Sequence, residues 1–302
     1  MRILLTGGSG FVGKHLLELL SNTKNKVIVL NKSNYKNNYK NIKLVKVSLS
    51  KPNTYKKILI EFSPEIVVHL AWEKIPFFDH KTCKINLDNS ILFFENIFSL
   101  GSCKKIIIAG TCLEYNIMKG VCKTKINGEP YNYFTWAKHS LKSWLEIEAK
   151  KNKINMIWLR IFYAYGPFQR SGSLLPTIFN SLQKGKLPNI KNIRNKNDFV
   201  FVHDVATIFY NSIFNKIKSG VYNCSSGKSV SVIKLISIAE KIVNKNNKYT
   251  DKLKKINKNK GIVNFWGCNY LTNKYFQPLR MHSLEEGIKI SYKYYIISKN
   301  EN

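Results

Sequence analysis

The stretch 6-TGGSGFVGKHLLELL-20 constrains the fold of this chain more than any other. It follows a short apolar run, 2-RILLT-6, and leads directly into an amphipathic pattern, so it reads as strand, glycine turn and helix. The glycines have separable uses. Gly7 and Gly8 allow a tight turn, Gly10 lets the backbone approach a pyrophosphate, and Gly13 lets the helix pack close to a sheet. The helix start at Phe11 and Val12 adds unpaired N–H groups and the positive end of the helix dipole, both of which attract an anion. Gly7, Gly10, Phe11, Val12 and Gly13 are therefore candidate dinucleotide-binding residues.

The rest of the first half repeats the alternation. Strands are expected at 2–6, 27–30, 44–47, 66–70, 106–109 and 156–160, and helices at 11–20, 54–62, about 84–100 and 136–150. Runs such as 66-IVVHL-70 and 106-IIIAG-110 are apolar on both faces, which suits a sheet covered by helices on both sides. Alternating β and α of this kind predicts an α/β fold with a doubly wound parallel sheet of Rossmann type. The second half is less regular. Pro167, Gly172, Pro176, Gly185 and Pro188 break it, 198-DFVFVHDV-205 reads as a strand, and 232–243 reads as a helix. A lysine-rich surface stretch and the tail 276–295 follow.

Composition bounds the function classes. A hydrophobic content of 44% with 13% aromatics excludes a disordered chain. No run approaches membrane-span length, and the glycine turn begins at residue 7, too early for a signal peptide, so a cytoplasmic protein is expected. Six cysteines form no C-x-x-C pair; they read as reduced thiols, and no metal site is expected. The net charge of +31 comes from lysines scattered among asparagines, as in 31-NKSNYKNNYKNIK-43. Such a surface attracts polyanions in general. Basic and aromatic residues do not interleave at recognisable spacing, so no specific nucleic-acid partner is expected.

A dinucleotide site of this type usually has an acidic residue about 20 residues on, where it binds the ribose 2′-OH. That region here is 29-VLNKS-33, so Asn31, Lys32 and Ser33 are the candidates. Without a carboxylate, and with Lys32 to pair with a 2′-phosphate, NADP is favoured over NAD within a general NAD(P) reading. The alternative is that Lys32 is one more surface lysine in a lysine-rich chain.

These residues together resemble the extended short-chain dehydrogenase/reductase family, in its nucleotide-sugar epimerase/dehydratase/reductase branch. Thr6, Gly7, Gly10 and Gly13 meet its T-G-x-x-G-x-x-G turn. His69-Leu70-Ala71 matches its H-L-A segment, which places Leu70 and Ala71 along the cofactor, and Asn86 fits the asparagine of the next helix. The segment 111-TCLEYN-116 puts Thr111 in the role of the active-site Ser/Thr. Downstream, 160-RIFYAYGP-167, 198-DFVFVHD-204, 221-VYNCSSG-227 and 278-PLRMHSLEEGI-288 follow the family's later motifs in order. The resemblance implies an NAD(P)-binding domain over 1–165, with a returning segment near 196–225, and a smaller, mixed C-terminal substrate-binding region over 166–302. It implies a nucleotide-sugar substrate, is compatible with a homodimer, and suggests epimerisation or keto-reduction for surface polysaccharide synthesis.

In this family a Tyr-x-x-x-Lys pair on one helix face carries the chemistry. The lysine holds the nicotinamide ribose and lowers the phenol's pKa, and the phenol exchanges a proton with the sugar. Lys138 fills the lysine position, but Phe134 stands where the tyrosine belongs, in 129-EPYNYFTWAKHS-140. Tyr133 lies roughly 140° from Lys138 around an ideal helix, and reaches the site only from a loop ahead of the helix. Thr111, Lys138 and Tyr133 are the catalytic candidates; Glu129, Tyr131 and His139 are weaker ones. Tyr163 and Asn197 depart from an asparagine and an arginine of the family pattern, which opens the identity of the sugar nucleotide. Cys112 and Leu113 replace the Asp-Glu of the 4,6-dehydratases, with Glu114 one position late, so dehydration is disfavoured. The alternative is a non-catalytic dinucleotide-binding protein, a sensor or an RNA-associated relative.

Overall fold

The computed structural model describes residues 1–33, 38–256 and 261–300. Parts of both lysine- and asparagine-rich stretches, 34–37 and 257–260, lie outside the described residues. The first half alternates as its sequence requires: β1 (Arg2–Thr6), α1 (Phe11–Ser21), β2 (Lys26–Asn31), β3 (Ile42–Lys46), α2 (Lys56–Phe62), β4 (Ile66–His69), α3 (His80–Phe98) and β5 (Lys105–Thr111). A short β6 (Lys119–Cys122) precedes α4 (Tyr133–Lys151) and β7 (Asn155–Ile161). With β11 (Gly220–Cys224), these strands other than β6 form a seven-stranded sheet of order β11-β7-β5-β4-β1-β2-β3, every pair of it parallel.

Side chains along each central strand point alternately to the two faces. Ile3, Leu5, Val68 and Ile107 join one core cluster with Leu16, Leu17 and Leu20 of α1. Leu4, Val67, Ile106 and Ile108 join the other, with Phe93 and Phe94 of α3 and Leu141 and Leu145 of α4. Both faces are dry, which is why these strands are apolar throughout.

The second half holds β8 (Tyr163–Tyr165), α5 (Leu174–Gln183), β9 (Lys196–Asn197), β10 (Phe199–Phe201), α6 (Val202–Phe214), β12 (Val230–Ser231) and α7 (Val232–Asn244). It continues through α8 (Lys248–Ile256), β13 (Asn264–Gly267), α9 (Tyr270–Tyr275) and α10 (Leu284–Asn300). The expected strand over 198–205 is only half extended. Val202 begins α6, because Val202, Val205, Ala206 and Phe209 bury one helical stripe and Asp204 sits in the first turn, where the dipole favours it. The lysine-rich stretch likewise contains α8, whose buried side is Thr250 and Leu253. A small mixed sheet of order β12-β9-β13-β6 draws strands from both sides of residue 165. Among the described residues no helix is long and apolar enough to cross a membrane.

The order of the large sheet reverses between β1 and β4, so the crevice at their C-terminal ends is where a doubly wound fold takes its ligand. A buried ion pair fixes the neighbouring exit of β5. Glu114, fully buried, accepts from Thr111 N–H at 2.8 Å and from Arg160 Nε at 2.8 Å, and shares the Trp158 indole N–H between its two oxygens at 3.1 Å. Glu114→Ala would leave the Arg160 charge buried without its partner. It is expected to cost about 3–5 kcal/mol of stability, read from urea-unfolding midpoints.

Candidate functional site

The glycine turn is built for close approach. Gly7 has φ +74°, and a Cβ there would stand 2.7 Å from the backbone nitrogen of Ala71. A Cβ on Gly13 would collide with Gly7 O and Gly8. Gly10 is different: a Cβ there would meet only Gly7 O, at 3.1 Å, and the residue is exposed, so its outer face is open. Gly10 is also the N-cap of α1, and no side chain caps the helix, which leaves the first N–H groups, including those of Phe11 and Val12, for a ligand.

At the end of β2, Asn31 is 4% exposed; its Oδ1 accepts from Ser9 N–H at 3.1 Å, and its Nδ2 has no partner. A buried amide with an orphaned donor beside an open helix N-terminus fits a polar dinucleotide. Ser33 Oγ lies 3.3 Å from Ser9 Oγ. Lys32, expected to be available to a 2′-phosphate, instead pairs with Glu73 at 2.6 Å, a residue the sequence reading did not single out.

The Leu70–Ala71 segment is held from beneath. Ser90 Oγ donates to Asn86 O, so the His69 Nε2–H donates to Ser90 Oγ at 3.2 Å and Nδ1 accepts from Thr6 Oγ1 at 2.9 Å. Burial first, and the nearby Lys138 charge second, push the His69 pKa down to about 3, so the ring is neutral. The Asn86 side chain accepts from Glu73 N–H at 2.7 Å and donates to Thr82 O at 2.9 Å, pinning the loop that carries Trp72.

The start of α4 decides the geometry of the aromatic pair. Asn132 Oδ1 accepts from Thr135 N–H, and Thr135 Oγ1 accepts from Asn132 N–H, a reciprocal capping box. Tyr133 is therefore the first helical residue rather than part of a loop. Its ring lies half exposed against His80, centroids 5.1 Å apart. Phe134 is buried on the Lys138 face, stacked on Phe78 at 4.4 Å and edge-on to Trp72 at 5.4 Å.

Lys138 is 4% exposed, donates to Ala109 O at 2.8 Å, and lies 3.9 Å from the Trp72 ring centroid. Burial lowers its pKa to about 7, with Glu114 and Cys83 opposing that shift. Thr111 caps the turn after β5 by accepting from Leu113 N–H at 3.3 Å. Of the weaker candidates, His139 is engaged with Glu114 O at 3.3 Å, and Glu129 and Tyr131 are exposed. The structure thus gathers Lys138, Phe134 and Trp72, with Lys138 bonded to Ala109 two residues before Thr111, and turns Tyr133 toward His80. Trp72 and Phe78 were missed by the sequence reading; the signal was their place in the loop after the H-L-A segment.

The NAD dependent epimerase/dehydratase family model matches residues 3–225. The chain belongs to this family. It is 25% identical over 258 residues to the ADP-L-glycero-D-manno-heptose-6-epimerase of Brachyspira hyodysenteriae, covering 80% of each chain. To the dTDP-4-dehydro-6-deoxyglucose reductase of Escherichia coli it is 26% identical over 265 residues, covering 80% of this chain and 82% of the reductase. Among solved structures, the UDP-glucose 4-epimerase of Thermotoga maritima superposes with a TM-score of 0.82 at 21% identity, covering 99% of this chain and all of that one.

The Lys138 shift has a consequence for stability. Below about pH 7 the lysine is charged in both the folded and the unfolded chain, and its burial weighs fully against folding. Between about 7 and the ordinary value of 10.5 the unfolded chain binds more protons, so stability rises with pH across that window. Lys138→Met is therefore expected to raise stability at pH 6 by roughly 2–4 kcal/mol, and by much less at pH 10, in urea melts at the two pH values.

Proposed function

We propose that this protein is an NAD(P)-dependent epimerase or keto-reductase acting on a nucleotide-linked sugar, in the synthesis of a surface polysaccharide. The observation that carries the reading is the placement of Lys138: its side-chain nitrogen bonds the carbonyl of Ala109 on β5, two residues before Thr111. Gly7, Gly10, Gly13 and the N–H groups of Phe11 and Val12 would hold the pyrophosphate, Asn31 the adenosine side, and Leu70 and Ala71 the length of the cofactor. The dinucleotide supplies a hydride acceptor and donor. Thr111 holds the reacting sugar oxygen, and because its Oγ1 is an acceptor toward Leu113 N–H, its hydroxyl hydrogen is free to point at substrate. Phe134 carries no exchangeable proton, so in this reading Thr111 or a water passes the proton instead. A tyrosine-to-phenylalanine mutant of the Bacillus cereus UDP-glucuronic acid 4-epimerase, which shares this fold at a TM-score of 0.78, is solved in complex with a fluorinated UDP-sugar and NAD. Loss of a phenol is thus compatible with binding in such a fold.

For the cofactor, the Lys32–Glu73 pair weighs against the NADP preference expected from Lys32, because a 2′-phosphate would have to share the ammonium with a carboxylate. We read NAD. In a titration with both cofactors the parent should bind NAD more tightly, Glu73→Ala should shift the preference toward NADP, and Gly10→Val should fold but bind neither. Equal parent affinities would remove the argument from Glu73.

Turnover is tested on a panel of NDP-hexoses by nicotinamide absorbance. Tyr133→Phe is expected to change little, since that ring faces His80. Phe134→Tyr is expected to raise turnover by about 10-fold or more, within the range a positioned acid–base group supplies. If Phe134→Tyr folds, binds cofactor and gains nothing, the non-catalytic reading is the better one.

A further inference from the structure

Two imidazoles and a buried carboxylate converge where the C-terminal tail meets the start of α6, the helix that packs on α1. His203 and Asp204 stand in the first turn of α6, and His282 arrives from the loop ahead of α10, 78 residues beyond Asp204. One donor atom from each residue lies within 4.8 Å of the others. Asp204 is 1% exposed, and both histidines line a cavity of about 540 Å³. The cluster is held in place: His282 Nδ1–H donates to Asp204 Oδ1 at 2.6 Å, and His282 backbone N–H donates to Oδ2 at 2.9 Å. The two imidazole centroids are 5.7 Å apart, at 74°.

We infer that His203, Asp204 and His282 form a binding site for a divalent transition-metal ion of the zinc class, with a fourth position open to the cavity. Two nitrogens and one carboxylate oxygen suit zinc, cobalt or nickel, whereas magnesium and calcium take oxygen ligands. The ion replaces the hydrogen between Nδ1 and Oδ1, and the ring keeps its hydrogen on Nε2, so binding releases no proton from a singly protonated ring and one from a doubly protonated ring. Bonds near 2.0–2.1 Å place tetrahedral donors about 3.3 Å apart, so the close His–Asp pair opens slightly and the wider separations close. The two part-exposed histidines can do this by side-chain rotation.

His15 of α1 lies near, its ring 6.5 Å from that of His203, but its Nε2 is engaged with Pro167 O at 3.2 Å. Arg280 and Lys289 also line the cavity and repel a cation, and Glu286 partly offsets them. A micromolar site is expected rather than a tighter one. Because α6 packs on α1, a bound ion would clamp the tail against the helix that carries the glycine turn.

The test uses full-length, untagged, chelator-treated protein. Zinc is titrated by calorimetry, and cobalt by its visible absorption, which is intense only for low-coordinate sites. The expected result is about one equivalent bound, a raised melting temperature with zinc, and an affinity loss of about 10-fold or more in both His203→Ala and His282→Ala. His203→Gln, which keeps a polar side chain of similar reach, serves as a second variant, and circular dichroism verifies folding. No saturable zinc heat and no cobalt band at roughly millimolar metal would overturn the proposal. Binding that is unchanged in all three variants would overturn it equally.

Discussion

The buried contact between Glu114 and Arg160 is the joint on which the two parts of this molecule turn. Neither side chain is exposed, and the two charges are satisfied by each other, by backbone groups and by the side chains of Trp158 and Asn127. Glu114 gathers Thr111, Trp158 and Arg160, which fixes the turn at the end of β5 against β7. Arg160 continues outward to Ile126 O and Asn127 Oδ1 and stacks under Tyr115. The Tyr115 hydroxyl then donates to Asn223 Oδ1, and the Asn223 amide donates to the carbonyls of Cys122 and Cys268. One chain of polar contacts thus runs from the parallel sheet to the small mixed sheet. Such a pair is weak evidence for stability in itself, but it is costly to leave half made, and so it holds one arrangement of these loops.

Around that joint the site is largely a matter of where helices begin. Asn132 and Thr135 start α4 at Tyr133, and this single choice puts Phe134, not Tyr133, on the face of Lys138. The consequence is an apolar lid of Trp72 and Phe134 over Lys138, with Phe78 stacked on Phe134, where the family pattern would have a phenol. Low polarity then depresses the lysine's pKa, so packing at one position alters the protonation of another. Asp198 does comparable work on the other side, accepting from Ser226, Gly227 and Gly267 N–H groups and so tying the turn after β11 to β13.

Membership of the NAD dependent epimerase/dehydratase family agrees with this construction. The relatives are named as epimerases, reductases, dehydrogenases and dehydratases of ADP-, dTDP-, GDP- and UDP-linked sugars, and several solved neighbours contain NAD. Tyr163, 36% exposed, packs against Phe199 and Phe265. Aromatic packing at that point replaces an amide of the family pattern, a change of surface chemistry rather than of fold.

The sequence by itself determined the parallel sheet, the glycine turn and the identity of the family, because these rest on local periodicity and on glycines whose reasons are steric. Strand and helix positions in the first half were legible to within a few residues for the same reason. The start of α6 was misread as strand: 198-DFVFVHDV-205 is apolar enough for either, and only packing on α1 selects the helical stripe of Val202, Val205 and Ala206. What the tertiary structure alone decided are contacts between residues far apart in the chain. Lys32 meets Glu73 across 41 positions, and Asp204 meets His282 across 78. No spacing rule announces either pair, since the fold, not the local pattern, brings them within hydrogen-bond distance.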